Sequence, residues 1–190
     1  MARRSPDGSG EGPDDGPGRL SVAAAAILGL LVQNGSQTTY DLKRFIDNSI
    51  GYFWPFPHSQ LYAETRRLEQ LGYIRAEEES SGRRRKVLSV TAAGRHALAA
   101  WKADPVHGST EIRDSGLLRL FLSDADDPVR IAELASEQRL LHVDKLAEYE
   151  ELAAFLGDDV TPSTYTLRLG IEYEKIAIDF WERVTDDLGT

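Results

Sequence analysis

The stretch FWPFPHSQLYAETRRLEQLGYI, Phe53 to Ile74, decides the fold. Pro55 and Pro57 cannot continue a helix and hold the chain extended. His58 or Ser59 then supplies the natural cap of a helix that ends at Gly72. At about 100° per residue, Leu61 and Leu68 centre the buried face of that helix, with Thr65 beside them. Directly opposite stand Ser59, Ala63, Arg66 and Gln70, flanked by Gln60, Tyr62 and Arg67. A core helix has no need of so polar a first turn, whereas a helix that enters a nucleic-acid groove does. Ser and Gln exchange hydrogen bonds with base edges, Ala63 lets the backbone approach, Arg66 pairs with guanine or phosphate, and Tyr62 offers a hydroxyl and a packing ring. The positive end of the helix favours a nearby phosphate.

The flanking sequence says what carries this helix. A helical pattern runs from Ser21 to the stop signal Asn34-Gly35. A second helix opens after Ser36, capped by Thr38 or Thr39, with Leu42, Phe45, Ile46 and Ile50 at helical spacing. Tyr40 at its start either contacts phosphate or packs. Beyond Gly72 the period changes: Tyr73, Ile74 and Ala76 lead to the turn signal Ser80-Ser81-Gly82, and the basic run Arg83, Arg84, Arg85, Lys86 leads into Val87, Leu88 and Val90. Thr91 caps a fourth helix that carries Leu98 and Trp101. Three helices followed by a hairpin with a basic tip is the order of a winged helix-turn-helix, in which the third helix enters the major groove and the wing grips the adjacent phosphates. His58 reads as a turn or cap residue, because His96, His107 and His142 stand at no metal-ligand spacing from it or from each other.

Charge follows the same division. The whole chain of 190 residues has a net charge of -9, which taken alone argues against a polyanion as partner. Residues 21–104, however, hold 11 basic and 8 acidic side chains, while residues 105–190 hold 8 and 19. The expected organisation is therefore a disordered tail over residues 1–19, rich in Gly and Pro, a DNA-binding domain over 20–104 and a helical domain over 105–190. The apolar run Val22 to Val32 falls well short of the roughly 20 residues of a bilayer span, so no membrane partner is expected. The absence of cysteine from the sequence agrees with a reducing compartment, and the expected location is the cytoplasm.

The acidic half reads as two long helices. One starts at Pro128 after Asp127 and runs to Phe155-Leu156 before Gly157, roughly 43 Å at 1.5 Å per residue. The other follows Thr161-Pro162, with Leu169, Tyr173, Ile176, Phe180 and Val184 in a stripe that Ala177 and Trp181 widen. A small winged helix cannot cover both stripes, so an intersubunit bundle is the economical partner. Leu134, Leu141, Leu169, Tyr173, Ile176, Phe180 and Trp181 are the expected dimerisation residues. Packing as a hairpin within one chain is the alternative. Reading a palindromic operator requires a symmetric pair of recognition helices about 34 Å apart, which favours the homodimer.

WPFPHSQLYAETRRLEQLGYI, followed by the basic wing, VLSVTAAGRHAL and an acidic helical tail, resembles the PadR family of transcriptional regulators. The long tail resembles the PadR-like subclass with an extended C-terminal helical domain. Thr65 departs from the family, which usually places an aliphatic residue there. The resemblance implies a mainly α fold, a winged helix-turn-helix with a C-terminal α-helical dimerisation domain. It also implies a dimeric repressor released from double-stranded DNA by a small effector, such as a phenolic acid or a hydrophobic drug. Phe53, Trp54, Phe56 and Trp101 are candidates to clamp a flat effector between reading head and arm, or else to pack as hinge core. No cofactor is expected. Enzymatic chemistry finds no support: there is no cysteine, no Gly-rich phosphate loop and no G-x-S-x-G, and the acidic pairs sit where helix capping explains them. A winged helix that binds protein and not DNA is the remaining alternative.

Overall fold

The computed structural model describes residues 20–55, 57–78, 85–106, 110, 112–157 and 159–188. The expected tail over 1–19 lies outside them. The chain divides into two compact units, Met1–Gly108 and Ser109–Thr190.

The first unit is built around α1 (Val22–Asn34). Its VAAAAILGLLV run is apolar on nearly every side, so the helix is buried nearly all round, with Ala24, Ile27, Leu28 and Leu31 packed in the core. Ser21 caps it by accepting from the Ala24 amide at 3.0 Å, and Gly35 at φ 78° ends it, in the left-handed region glycine tolerates. Strand β1 (Gln37–Thr38) then leads into α2 (Thr39–Asp47). Thr38 is the cap: its Oγ1 accepts from the Asp41 amide at 3.1 Å and donates to Asp41 Oδ2 at 2.7 Å. Helix α2 stops earlier than the apolar spacing suggests, and Ile50 falls in a separate 3-10 turn, Ile50–Tyr52. Helix α3 (His58–Gln70) buries Leu61, Thr65 and Leu68.

Strands β2 (Ile74–Glu78) and β3 (Lys86–Val90) pair antiparallel, with Ile74 opposite Val90 and Glu78 opposite Lys86. Strand β1, too short for an alternating pattern to betray it, adds to the other edge of β3, Gln37 opposite Leu88. Helix α4 (Ala92–Ala103) follows. Thr91 fastens this junction: its Oγ1 accepts from the Gly94 amide at 3.1 Å and donates to the Gly72 carbonyl at 2.7 Å. Gly94 is needed there, because a Cβ would lie 2.1 Å from the Tyr73 carbonyl oxygen.

In the second unit, α5 (Ser115–Phe121) precedes the long helices α6 (Pro128–Leu156) and α7 (Pro162–Leu188). Asp114 caps α5 and Asp127 caps α6. Helices α6 and α7 form an antiparallel hairpin. At one end Ile131, Leu134 and Ala135 pack on Trp181 and Val184. Further along, His142 Nδ1 lies 2.5 Å from Glu174 Oε2, and towards the turn Tyr149 packs on Gly170, where a Cβ would stand 3.0 Å from the ring.

This packing corrects the reading of two expected dimerisation residues. Leu134 and Trp181 are sealed inside the hairpin core of their own chain, because α7 turns the line Thr164, Glu174, Trp181 and Val184 towards α6. Leu169, Tyr173 and Ile176, from the expected stripe, remain exposed, as does Leu141 on α6, while Phe180 is half-buried against Trp181. Tyr173 is nonetheless partly shielded from water, and that desolvation, with Asp114 and Glu174 adding to it, raises its phenol above the ordinary range.

Candidate nucleic-acid interface

Helix α3 presents the expected outward face. Ser59, Gln60, Tyr62, Ala63, Arg66 and Gln70 are all exposed, while Leu61 and Leu68 on the other side are buried. The start of the helix differs from expectation. Pro57 occupies the cap position, its carbonyl accepting from the Gln60 amide at 3.0 Å, and no side chain caps the helix. The Ser59 hydroxyl is thereby left on the exposed first turn and not spent on capping.

The adjacent arginines are not equivalent. Arg67 Nη1 lies 3.3 Å from Glu64 Oε2, and Glu64 Oε1 accepts from the Ser21 hydroxyl at 3.0 Å. Arg67 is thus half-buried in a link between α3 and the start of α1. Arg66 is exposed and forms no ion pair among the described residues. Thr65, the departure from the family pattern, is buried but satisfied, its hydroxyl donating to the Leu61 carbonyl one turn back.

On the wing, Arg85 and Lys86 are exposed at the start of β3. Arg83 and Arg84 lie outside the described residues. Tyr40, in the first turn of α2, is 69% exposed, so it does not serve as core. Among the described residues, no group of histidine and carboxylate side chains could hold a metal ion, and no helix is long and apolar enough to cross a membrane.

The aromatic candidates separate. Trp101 lines a groove of about 370 Å³ with Leu20, Tyr73, Ala97 and Ala100, with His96 and Asp104 at its polar edge. Phe53 and Trp54 are exposed on the loop before α3 and do not line this groove. Phe56 lies outside the described residues. Among the described residues, Phe53 and Trp54 therefore do not join Trp101 in lining one groove. Composition could not reveal the groove, which is lined in part by small alanines of α4.

A buried helical core, an outward polar helix and a basic hairpin define a winged-helix DNA-binding protein. Comparison with known proteins gives the family. The transcriptional regulator PadR-like family matches residues 27–100, and the C-terminal domain of virulence activator alpha matches residues 112–189. The chain is 30% identical over 181 residues to the probable transcriptional regulator Rv1176c of Mycobacterium tuberculosis, covering 86% of this chain and 95% of that one. It is 26% identical over 141 residues to the negative transcriptional regulator PadR of Bacillus subtilis, covering 71% and 77%. The crystal structure of that PadR in complex with operator DNA superposes with a TM-score of 0.76 at 23% identity, covering 88% of this chain and 99% of that one. Its complex with p-coumaric acid superposes at 0.71 and 22%, covering 90% and 100%. The chain belongs to the PadR-like family of transcriptional regulators.

Proposed function

We propose that the protein is a cytoplasmic homodimeric repressor that reads a palindromic operator and is released by a small aromatic or hydrophobic effector. The observation that carries this reading is the outward face of α3, where Ser59, Gln60, Tyr62, Ala63, Arg66 and Gln70 are exposed together. Ser59 and Gln60 stand nearest the uncapped end and suit base edges; Arg66 and Gln70 extend the contact one turn on. Arg67 acts mainly by bracing the helix. Tyr40 and the wing residues Arg83, Arg84, Arg85 and Lys86 grip phosphates.

Repression is supported by the similarity to a negative regulator. An effector is supported by the p-coumaric acid complex of that relative's structure together with the apolar groove beside Trp101. A ring laid on Trp101, with a polar substituent towards His96, fits its lining; Phe53 and Trp54 offer further aromatic surface nearer α3. Dimerisation is supported by the apolar side chains that the hairpin leaves outside: Leu141, Leu169, Tyr173 and Ile176. Its chemistry is recognition, with no catalytic role for any residue.

Selection of bound fragments from the source genome tests the reading. The purified protein recovers an inverted repeat with half-sites about one helical turn apart. Recovery of fragments without a common sequence overturns it.

A further inference from the structure

Helix α2 carries a cation that the interface above does not use. Leu42 and Ile46 turn into the core, and at about 100° per residue the side chains opposite them are Tyr40 and Arg44, one turn apart. Both are exposed. The other cation of the helix, Lys43, is held by Asp47 at 2.5 Å. Arg44 has no ion pair among the described residues, although Asp41 stands three positions before it, because the Asp41 carboxylate is turned to the Thr38 hydroxyl.

Two further observations bear on Arg44. It lines a hollow of about 320 Å³ with Gln37, Asp41, Phe45 and Asn48. Gln37, which lines that hollow, has its Oε1 buried with no hydrogen-bond partner among the described residues, an arrangement that leaves an acceptor wanting a donor. Arg44, a fivefold donor, lines the same hollow. The β1–β3 register, with Thr38 opposite Val87, also brings Lys86 beside the first turn of α2. Arg85, Lys86, Tyr40 and Arg44 therefore follow one another from the base of the wing along α2.

We propose that Arg44 is a further DNA-contact residue, a phosphate clamp on the flank of α3, and that Gln37 positions its guanidinium by accepting one of its five N–H donors. This rests on the operator-binding reading and assigns the contact to backbone and not to bases. Arg44 therefore contributes affinity for duplex DNA of any sequence, and the discrimination between operator and other DNA stays with α3.

Salt titration of the full-length protein on a selected operator and on a scrambled duplex tests the assignment. Arg44→Ala lowers the slope of log K against log salt by about one unit on both duplexes, and Arg44→Lys keeps the slope. Gln37→Met weakens binding about threefold with the slope retained, and adds little to Arg44→Ala. An unchanged slope for Arg44→Ala, in a protein that still prefers its operator, overturns the clamp and leaves the operator reading standing. Failure of the wild type to bind any duplex overturns both. Additive losses from the two substitutions overturn the positioning role of Gln37.

Discussion

Arg67 Nη1 stands 3.3 Å from Glu64 Oε2, one turn back on the same recognition helix, and the other oxygen of Glu64 takes a hydrogen bond from Ser21, the cap of α1. One carboxylate thus ties the reading helix to the central core helix. Glu64→Ala should cost about 1 kcal/mol of stability, since the partly buried Ser21 hydroxyl and Arg67 both lose a partner. Chemical denaturation checks this. Arg67→Ala should weaken operator binding less than Arg66→Ala does.

The wing acts through charge, so its contribution is readable in salt. Arg85→Ala and Lys86→Ala should each flatten the salt dependence of binding by about one unit. Equal slopes for wild type and both variants would remove the wing from the interface.

Two positions test how the head is built. Thr65→Val should leave stability within about 1 kcal/mol of wild type, or raise it, because among the described residues the buried hydroxyl bonds only to its own helix. Gly94→Ala should cost about 3 kcal/mol or more, because the new methyl lies 2.1 Å from the Tyr73 carbonyl oxygen and backbone must move. Thermal melts of the two variants should therefore shift in clearly different degree.

Much of this head was legible in the sequence, and for identifiable reasons. Apolar spacing marked Leu61 and Leu68, glycine marked the ends of α1 and α3, and Thr91 marked the start of α4. Strand β1 escaped notice because its two residues carry no period. Helix α5 is equally hard to read, since seven residues give too short a pattern and three of its apolar side chains, Leu117, Leu118 and Phe121, stay exposed. The cap of α3 reads from the sequence as His58 or Ser59 because a cap without a side-chain bond leaves no polar signature at Pro57. On the arm, both sides of α7 carry apolar residues, and periodicity alone could not say which side faces α6. The buried pair His142 and Glu174 settles that, and no apolar count would have found it.

The exposed residues of the arm carry the dimer proposal. Leu169→Glu combined with Ile176→Glu should convert the dimer to monomer in sedimentation while helix content is retained, because 72% and 65% of these side chains already face solvent within one chain. Trp181→Ala should instead unfold the hairpin, costing about 3 kcal/mol or more, since its ring is core. A double glutamate variant that stays dimeric would place the subunit contact elsewhere.

The central claim is that the outward face of α3 reads base sequence. Binding of Gln60→Ala and Arg66→Ala to a library of single-base operator variants tests it most directly. The account predicts that each substitution relaxes preference at particular operator positions, by about 1 to 3 kcal/mol, and leaves the other positions as discriminating as before. Uniform weakening at every position, or no weakening at all, would contradict it.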